Sequence, residues 1–94
     1  MRQGFKKGKD SSVIDYEKIP PHVLETLKRY KDKGVNTGGF LRAVISNDLI
    51  SAVQRADSSS LNALPQIASW AYTELPAEAW GSYEAFNKWT ERNL

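Results

Sequence analysis

The sequence predicts an all-α fold: a compact four-helix domain, a bundle or an orthogonal array, behind a disordered basic N-terminal arm. Apolar residues recur three and four positions apart over most of the chain, which is typical of amphipathic helices. Proline, serine, aspartate and glycine stand where such helices would begin or end. The single extended segment, residues 13–18, has no partner strand and is expected to be coil. We therefore assign residues 1–18 to the arm and extended segment, and residues 19–94 to one helical domain.

Positive charge is concentrated at the N-terminus. The chain carries a formal net charge of +2, and residues 1–10 alone hold four basic residues and one acidic residue. The rest of the chain holds nine basic and ten acidic residues, so the helical part is nearly neutral. An arm with this charge binds polyanions weakly and is not typical of a dedicated DNA reader.

Composition excludes several kinds of protein. Without cysteine there is no disulfide framework, no thiolate metal site and no cysteine nucleophile. No stretch approaches the roughly 20 apolar residues that cross a bilayer, and no apolar run follows the basic N-terminus as it would in a signal peptide. We therefore expect a cytoplasmic protein that has no membrane partner.

The first helix should open at Ile19-Pro20-Pro21 and end before Gly34. Proline fits the first turn because its missing N–H would have no partner there. Glycine after the last turn adopts the left-handed conformation without steric cost. Three apolar residues share one face and should point to the core, namely Val23, Leu27 and Tyr30.

The second helix is predicted as one continuous element over residues 38–56, with Thr37 as its N-cap. Since successive residues are about 100° apart, its apolar residues share one side and should be buried. They are Leu41, Ile45, Leu49, Ala52, Val53 and Ala56. The polar residues of the opposite side are Asn47, Asp48, Ser51, Gln54 and Arg55.

Two further helices complete the predicted domain. The third should run from about residue 59 to residue 75 after a capping cluster at 57–60, with Pro65 causing a kink or a first turn set apart. Pro76 ends that helix, and Ser82 caps the fourth. The expected core or core-edge residues are Leu61, Leu64, Ile67, Ala68, Ala71, Tyr72, Leu75, Trp80, Tyr83, Phe86 and Trp89.

The residues that usually carry catalysis are missing or isolated. His22 is the single histidine, and no motif supplies the orienting carboxylate and the nucleophile that a catalytic histidine needs. The sequence contains neither a pair of histidines nor an acidic calcium loop, so it predicts no metal site. Gly38-Gly39 lacks the lysine of a phosphate loop and favours close packing or a tight turn. We expect a protein that is not an enzyme and holds no cofactor or metal.

The polar side of the second helix has two interpretations. It is the solvated face of an amphipathic helix, with Asp48 and Arg55 reaching other helices as structural ion pairs, or it is a partner-recognition surface. Trp70 lies opposite the apolar stripe of the third helix, where it is either covered by another segment or exposed as a binding anchor. The candidate protein-binding residues are Asn47, Asp48, Ser51, Gln54, Arg55 and Trp70.

A nucleic-acid interface is the alternative. Basic residues of the arm and of the first helix would contact phosphates without sequence preference and in a salt-dependent way. No clear helix-turn-helix signature accompanies them. The candidate residues are Arg2, Lys6, Lys7, Lys9, Lys28, Arg29 and Lys31.

One block of the sequence resembles a known family. Residues 38–49 read Gly-Gly-Phe-Leu-Arg-Ala-Val-Ile-Ser-Asn-Asp-Leu and are similar to a block that recurs in short bacteriophage-encoded proteins of unknown function. The resemblance covers roughly residues 19–90. It implies a phage or prophage origin and action in the cytoplasm of a bacterial host, but no activity and no catalytic residue. It continues through Ile19-Pro20, Ala52, Val53, Arg55, Ala56, Asp57 and Trp80-Gly81-Ser82.

Together these observations favour a small, non-enzymatic phage accessory protein. It would bind a host or phage protein and modulate it, for example by inhibiting a host machine or a defence system. A nucleic-acid-binding protein is the alternative, and an oligomeric structural component of a virion is a third hypothesis. The sequence leaves open whether the protein is a monomer or a dimer.

Overall fold

The computed structural model describes residues 16–92. Within this part of the chain all regular structure is helical and no strand forms, so the all-α prediction is confirmed. Two short 3₁₀ helices, Tyr16–Lys18 and Ala77–Ala79, accompany six α-helices. The α-helices are α1 Pro21–Lys33, α2 Gly39–Ile45, α3 Leu49–Arg55, α4 Ser58–Asn62, α5 Leu64–Glu74 and α6 Tyr83–Glu91. The predicted disordered arm lies outside the described residues. Of the segment 13–18 that was expected to be coil, the described part forms a 3₁₀ turn, so the coil prediction is wrong there.

Helix α1 forms as the sequence predicts. Pro21 lies in its first turn, where a missing N–H breaks no hydrogen bond. Its predicted stripe of Val23, Leu27 and Tyr30 is buried. Gly34 ends the helix with a φ of 65°, and its N–H donates to the carbonyl of Tyr30. Only a residue that tolerates a left-handed backbone closes a helix in this way.

The prediction of one continuous second helix is wrong. A turn at residues 46–48 interrupts the helix, and Asn47 has a φ of 65° there. The Asn47 N–H donates to the Val44 carbonyl at 3.1 Å, and the Asp48 N–H donates to the Ala43 carbonyl at 2.8 Å. This pair of bonds is the Schellman arrangement that ends many helices, and asparagine tolerates the left-handed position better than most residues. The next residue, Asp48, then caps α3.

The expected N-cap of the second helix is also wrong. Gly38, with a φ of 88°, occupies the N-cap position of α2, and no side chain caps this end. The Thr37 hydroxyl donates to the Gly38 carbonyl at 3.1 Å instead. Because that hydroxyl is not placed to accept from the first N–H groups of α2, Thr37 does not act as a cap.

The predicted third helix is divided into two pieces. Helix α4 begins after Asp57, whose Oδ1 accepts from the Ser60 N–H at 2.8 Å. The chain turns at Ala63, and Pro65 falls in the first turn of α5. The expected separation of a first turn near Pro65 is therefore confirmed. At α6, the Ser82 hydroxyl accepts from the Ala85 N–H at 3.0 Å, as predicted.

Tyr30 lies at the centre of the core and joins three elements. Its buried hydroxyl donates to the Ala79 carbonyl at 2.7 Å, and its own carbonyl accepts from the Trp89 indole N–H at 2.7 Å. Its ring stacks on Phe86 with the centroids 5.0 Å apart. Burial raises the pKa of the Tyr30 hydroxyl well above its ordinary value. These contacts fix α1, the second 3₁₀ helix and α6 against one another.

Helix α2 lies between the other helices and carries the central aliphatic residues. Its Leu41 and Ile45 are buried, and the helix contacts α3, α5 and α6. The carbonyl at its last residue, Ile45, accepts from the Gly81 N–H at 2.8 Å. This bond fixes the loop before α6 to the end of α2.

Six expected core or core-edge positions are wrong because their side chains are exposed: Leu49, Val53, Leu61, Ala68, Tyr72 and Tyr83. For Leu49 and Val53 the cause is the turn at 46–48, since a break changes the angular phase of every residue that follows it. Within residues 16–92, no helix combines the length and the apolar character needed to span a membrane.

Candidate functional site

Helix α3 matches its predicted buried and exposed sides only in part. Ala52 is completely buried, whereas Asp48 and Ser51, which were expected on the polar outer side, are half-buried against the molecule. Leu49 and Val53, which were expected in the core, are exposed. Of the predicted solvent side, Asn47, Gln54 and Arg55 are exposed as expected, whereas Asp48 and Ser51 are partly covered.

Asp48 makes one hydrogen bond within α3 and one to α6. Its Oδ1 accepts from the Ser51 N–H at 3.2 Å, which caps α3, and its Oδ2 accepts from the Tyr83 hydroxyl at 2.6 Å. The Tyr83 bond, followed by the Ser51 bond, lowers the pKa of the Asp48 carboxyl. The same contact with Asp48 raises the pKa of the Tyr83 hydroxyl. Of the two sequence interpretations, the geometry of Asp48 matches the structural one, with a hydrogen bond in place of an ion pair.

Arg42 lies over the ring of Tyr83. Its guanidinium carbon lies 4.8 Å from the centroid of the Tyr83 ring and 5.7 Å from that of Phe86. Contacts of a cation with aromatic faces at these distances are attractive. Tyr83 is therefore held at two points, its ring by Arg42 of α2 and its hydroxyl by the carboxylate of Asp48.

Arg55 lies across the start of α2. A Cβ atom built on Gly39 would be 3.1 Å from the Arg55 Nη1 and 3.3 Å from its Cδ. The second glycine of Gly38-Gly39 thus allows a close approach, which is the packing role that the sequence favours for this pair. Among the described residues, Arg55 forms no ion pair with Asp48.

Trp70 is not an exposed anchor. It is 4% exposed and belongs to the hydrophobic core. Of the two alternatives left open by the sequence, the covered one is correct. The other tryptophans, Trp80 and Trp89, are partly buried at the core edge as expected.

One side of α3 exposes aliphatic residues to solvent. Leu49 is 62% exposed, Ile50 is 69% exposed and Val53 is 43% exposed. Gln54 is exposed beside them, and none of the four is charged. We call these four residues the α3 face. Ile50 was not among the candidate residues, and the Asn-Asp pair at 47–48 is the sequence signal that could have revealed it, because asparagine suits a C′ position and aspartate an N-cap.

A cleft borders the α3 face. It has a volume of about 110 Å³ and lies where the turn between α2 and α3 meets α5. Asn47 is exposed at its edge, so its amide offers both donors and acceptors beside an apolar surface. The lining residues are Val44, Asn47, Asp48, Leu49, Ala52, Leu64 and Ala68.

The candidate nucleic-acid residues are only partly brought together. Arg2, Lys6, Lys7 and Lys9 lie outside the described residues. On α1, Arg29 pairs with Glu25 at 3.2 Å and Lys31 pairs with Glu74 at 3.9 Å. Lys28 is exposed, in a shallow depression whose lining mixes acidic and basic side chains. The α1 cluster is therefore partly neutralised by neighbouring carboxylates.

No cluster of three or more potential metal ligands occurs within residues 16–92. His22 lies exposed in the first turn of α1. Comparison of the chain with protein-family models, with curated proteins and with solved structures gave no match.

Proposed function

We propose that this chain is a small, non-enzymatic phage accessory protein that binds a host or phage protein and modulates it. The observation that carries the proposal is the α3 face, where three neighbouring aliphatic side chains of one helix are exposed. Single exposed apolar residues are common on protein surfaces, but contiguous apolar patches often mark sites of protein contact.

The surroundings of the α3 face also favour a protein contact. The amides of Asn47 and Gln54 flank the aliphatic residues and supply hydrogen-bonding groups at the edge of the patch. An apolar centre with a polar rim is the usual composition of a protein–protein interface. The helix beneath is fixed by the Asp48–Tyr83 bond, so the patch is presented by a rigid element.

The test is capture of a partner by the tagged full-length chain from a nuclease-treated bacterial lysate. Ile50→Glu places a charge in the α3 face, whereas the matched control Val35→Glu alters an exposed aliphatic residue between α1 and α2. We expect the wild type and the control to retain the same protein and Ile50→Glu to lose it. Circular dichroism establishes that each variant is folded, and titration with the purified partner measures the loss of affinity.

Other results would contradict the proposal. Retention of the partner by Ile50→Glu would assign the contact to a different surface. Disappearance of all captured material after nuclease treatment would favour the nucleic-acid alternative, whose binding should also fall steeply with added salt.

A further inference from the structure

We infer that the α3 face binds a second copy of this chain, with the two α3 helices antiparallel across a two-fold axis. The inference rests on the proposed function, because it uses the same face for a protein contact. The second copy and the lysate partner therefore compete for the α3 face, and the partner binds the monomer. A two-fold interface brings the same patch of both copies together, so the patch must be compatible with itself.

The α3 face is compatible with a second copy of itself because it carries no charge. Leu49, Ile50, Val53 and Gln54 are all uncharged, so two copies can meet without bringing like charges together. The nearest charged residues of the helix are directed elsewhere. Asp48 bonds to Tyr83, and Arg55 lies against Gly39.

The order of residues along α3 is self-complementary as well. When two such helices run antiparallel about a point between Ser51 and Ala52, Ile50 of one copy lies opposite Val53 of the other. The same arrangement brings Asn47, before the start of one helix, close to Gln54 at the end of the other. Each amide has both donors and acceptors, so the pair can bond in either direction.

The exposed area fits the centre of a small interface. The three aliphatic residues expose on the order of 300 Å². A standard interface buries about 800 Å² on each partner, a little over half of it apolar. The α3 face thus supplies a large part of the apolar area that one side needs, with polar neighbours as the rim.

The test is the molar mass of the purified full-length chain, measured by light scattering and by sedimentation over a range of concentrations. We expect the wild type and Val35→Glu to approach twice the 10.6 kDa monomer mass as concentration rises. In Ile50→Glu the two-fold axis brings the new carboxylates close together in an apolar interface. The dimer dissociation constant should then rise about a hundredfold or more.

Three results would overturn the inference: a wild type that stays monomeric at every concentration, an Ile50→Glu variant that still dimerises like the wild type, or a Val35→Glu variant that dissociates equally. Failure here can be told apart from failure of the proposed function. If the wild type is monomeric, and Ile50→Glu still abolishes capture of the lysate partner, only the dimer is contradicted. A dimer that retains no partner contradicts only the accessory role.

Discussion

The Tyr83 hydroxyl donates to Oδ2 of Asp48 at 2.6 Å and thereby ties α6 to the start of α3 across 35 positions of the chain. The same carboxylate caps α3 through the Ser51 N–H. The Asp48 side chain therefore caps α3 and also holds it against α6. The orientation of the α3 face depends on this contact.

The Asp48–Tyr83 bond should contribute to acid sensitivity. Because the pKa of Asp48 is lower in the folded chain than in the unfolded one, its stabilising contribution is complete above about pH 4 and is lost as the pH falls through the lowered value. We expect the melting temperature of Tyr83→Phe to fall less than that of the wild type between neutral and acidic pH. Thermal unfolding followed by circular dichroism measures both.

The comparison with Tyr83→Phe isolates the bond from other acid effects. Asp57 also has a lowered pKa, mainly through the Ser60 N–H, and contributes in the same range in both proteins. Tyr72→Phe serves as the control, since Tyr72 is 72% exposed. Parallel acid profiles for wild type and Tyr83→Phe would refute the prediction.

Asn47 should tolerate glycine but not a β-branched residue. Its φ of 65° is a left-handed conformation, which glycine adopts freely and valine adopts at a cost of roughly 1–3 kcal/mol. We expect Asn47→Gly to keep the free energy of unfolding near that of the wild type and Asn47→Val to lower it by that amount. Urea unfolding gives both values. Equal stability of Asn47→Val and the wild type would mean that the turn is not required.

Tyr30→Phe should destabilise the protein by about 1–3 kcal/mol. The substitution removes a buried hydroxyl and leaves the Ala79 carbonyl without its donor, so the penalty is that of an unsatisfied buried group. Tyr72→Phe is the matched control and should change stability by less than about 0.5 kcal/mol. Chemical denaturation measures both, and similar losses in the two variants would argue against the buried bond.

Leu41→Ala and Leu49→Ala should differ sharply, although both leucines belong to the same predicted stripe. Leu41 is 5% exposed, and its truncation should cost about 2–5 kcal/mol through lost burial and a cavity. Leu49 is 62% exposed, so its truncation should cost less than about 1 kcal/mol. If denaturant unfolding showed the same loss of unfolding free energy in both variants, the result would favour the continuous second helix that the sequence predicts.

Local signals determined much of the secondary structure. Gly34, Asp57 and Ser82 act at the helix ends where the sequence predicts them, because each bond that they make reaches a residue only three or four positions away. The stripe of α1 is likewise buried as predicted, since an uninterrupted helix keeps its angular phase. These features, with the all-α class, follow from the sequence by itself.

The tertiary structure decided the candidate site. At Asn47 the chain either continues as a helix or ends the helix with a Schellman turn. The periodicity of apolar residues does not reveal which of the two conformations has the lower free energy. Once the chain turns, α2, α5 and α6 determine which residues are covered: Trp70 is buried and Ile50 is exposed. Bonds such as Tyr30 to Ala79 and Tyr83 to Asp48 join residues 49 and 35 positions apart. Such pairings arise only from packing, which is why the sequence alone did not predict the α3 face.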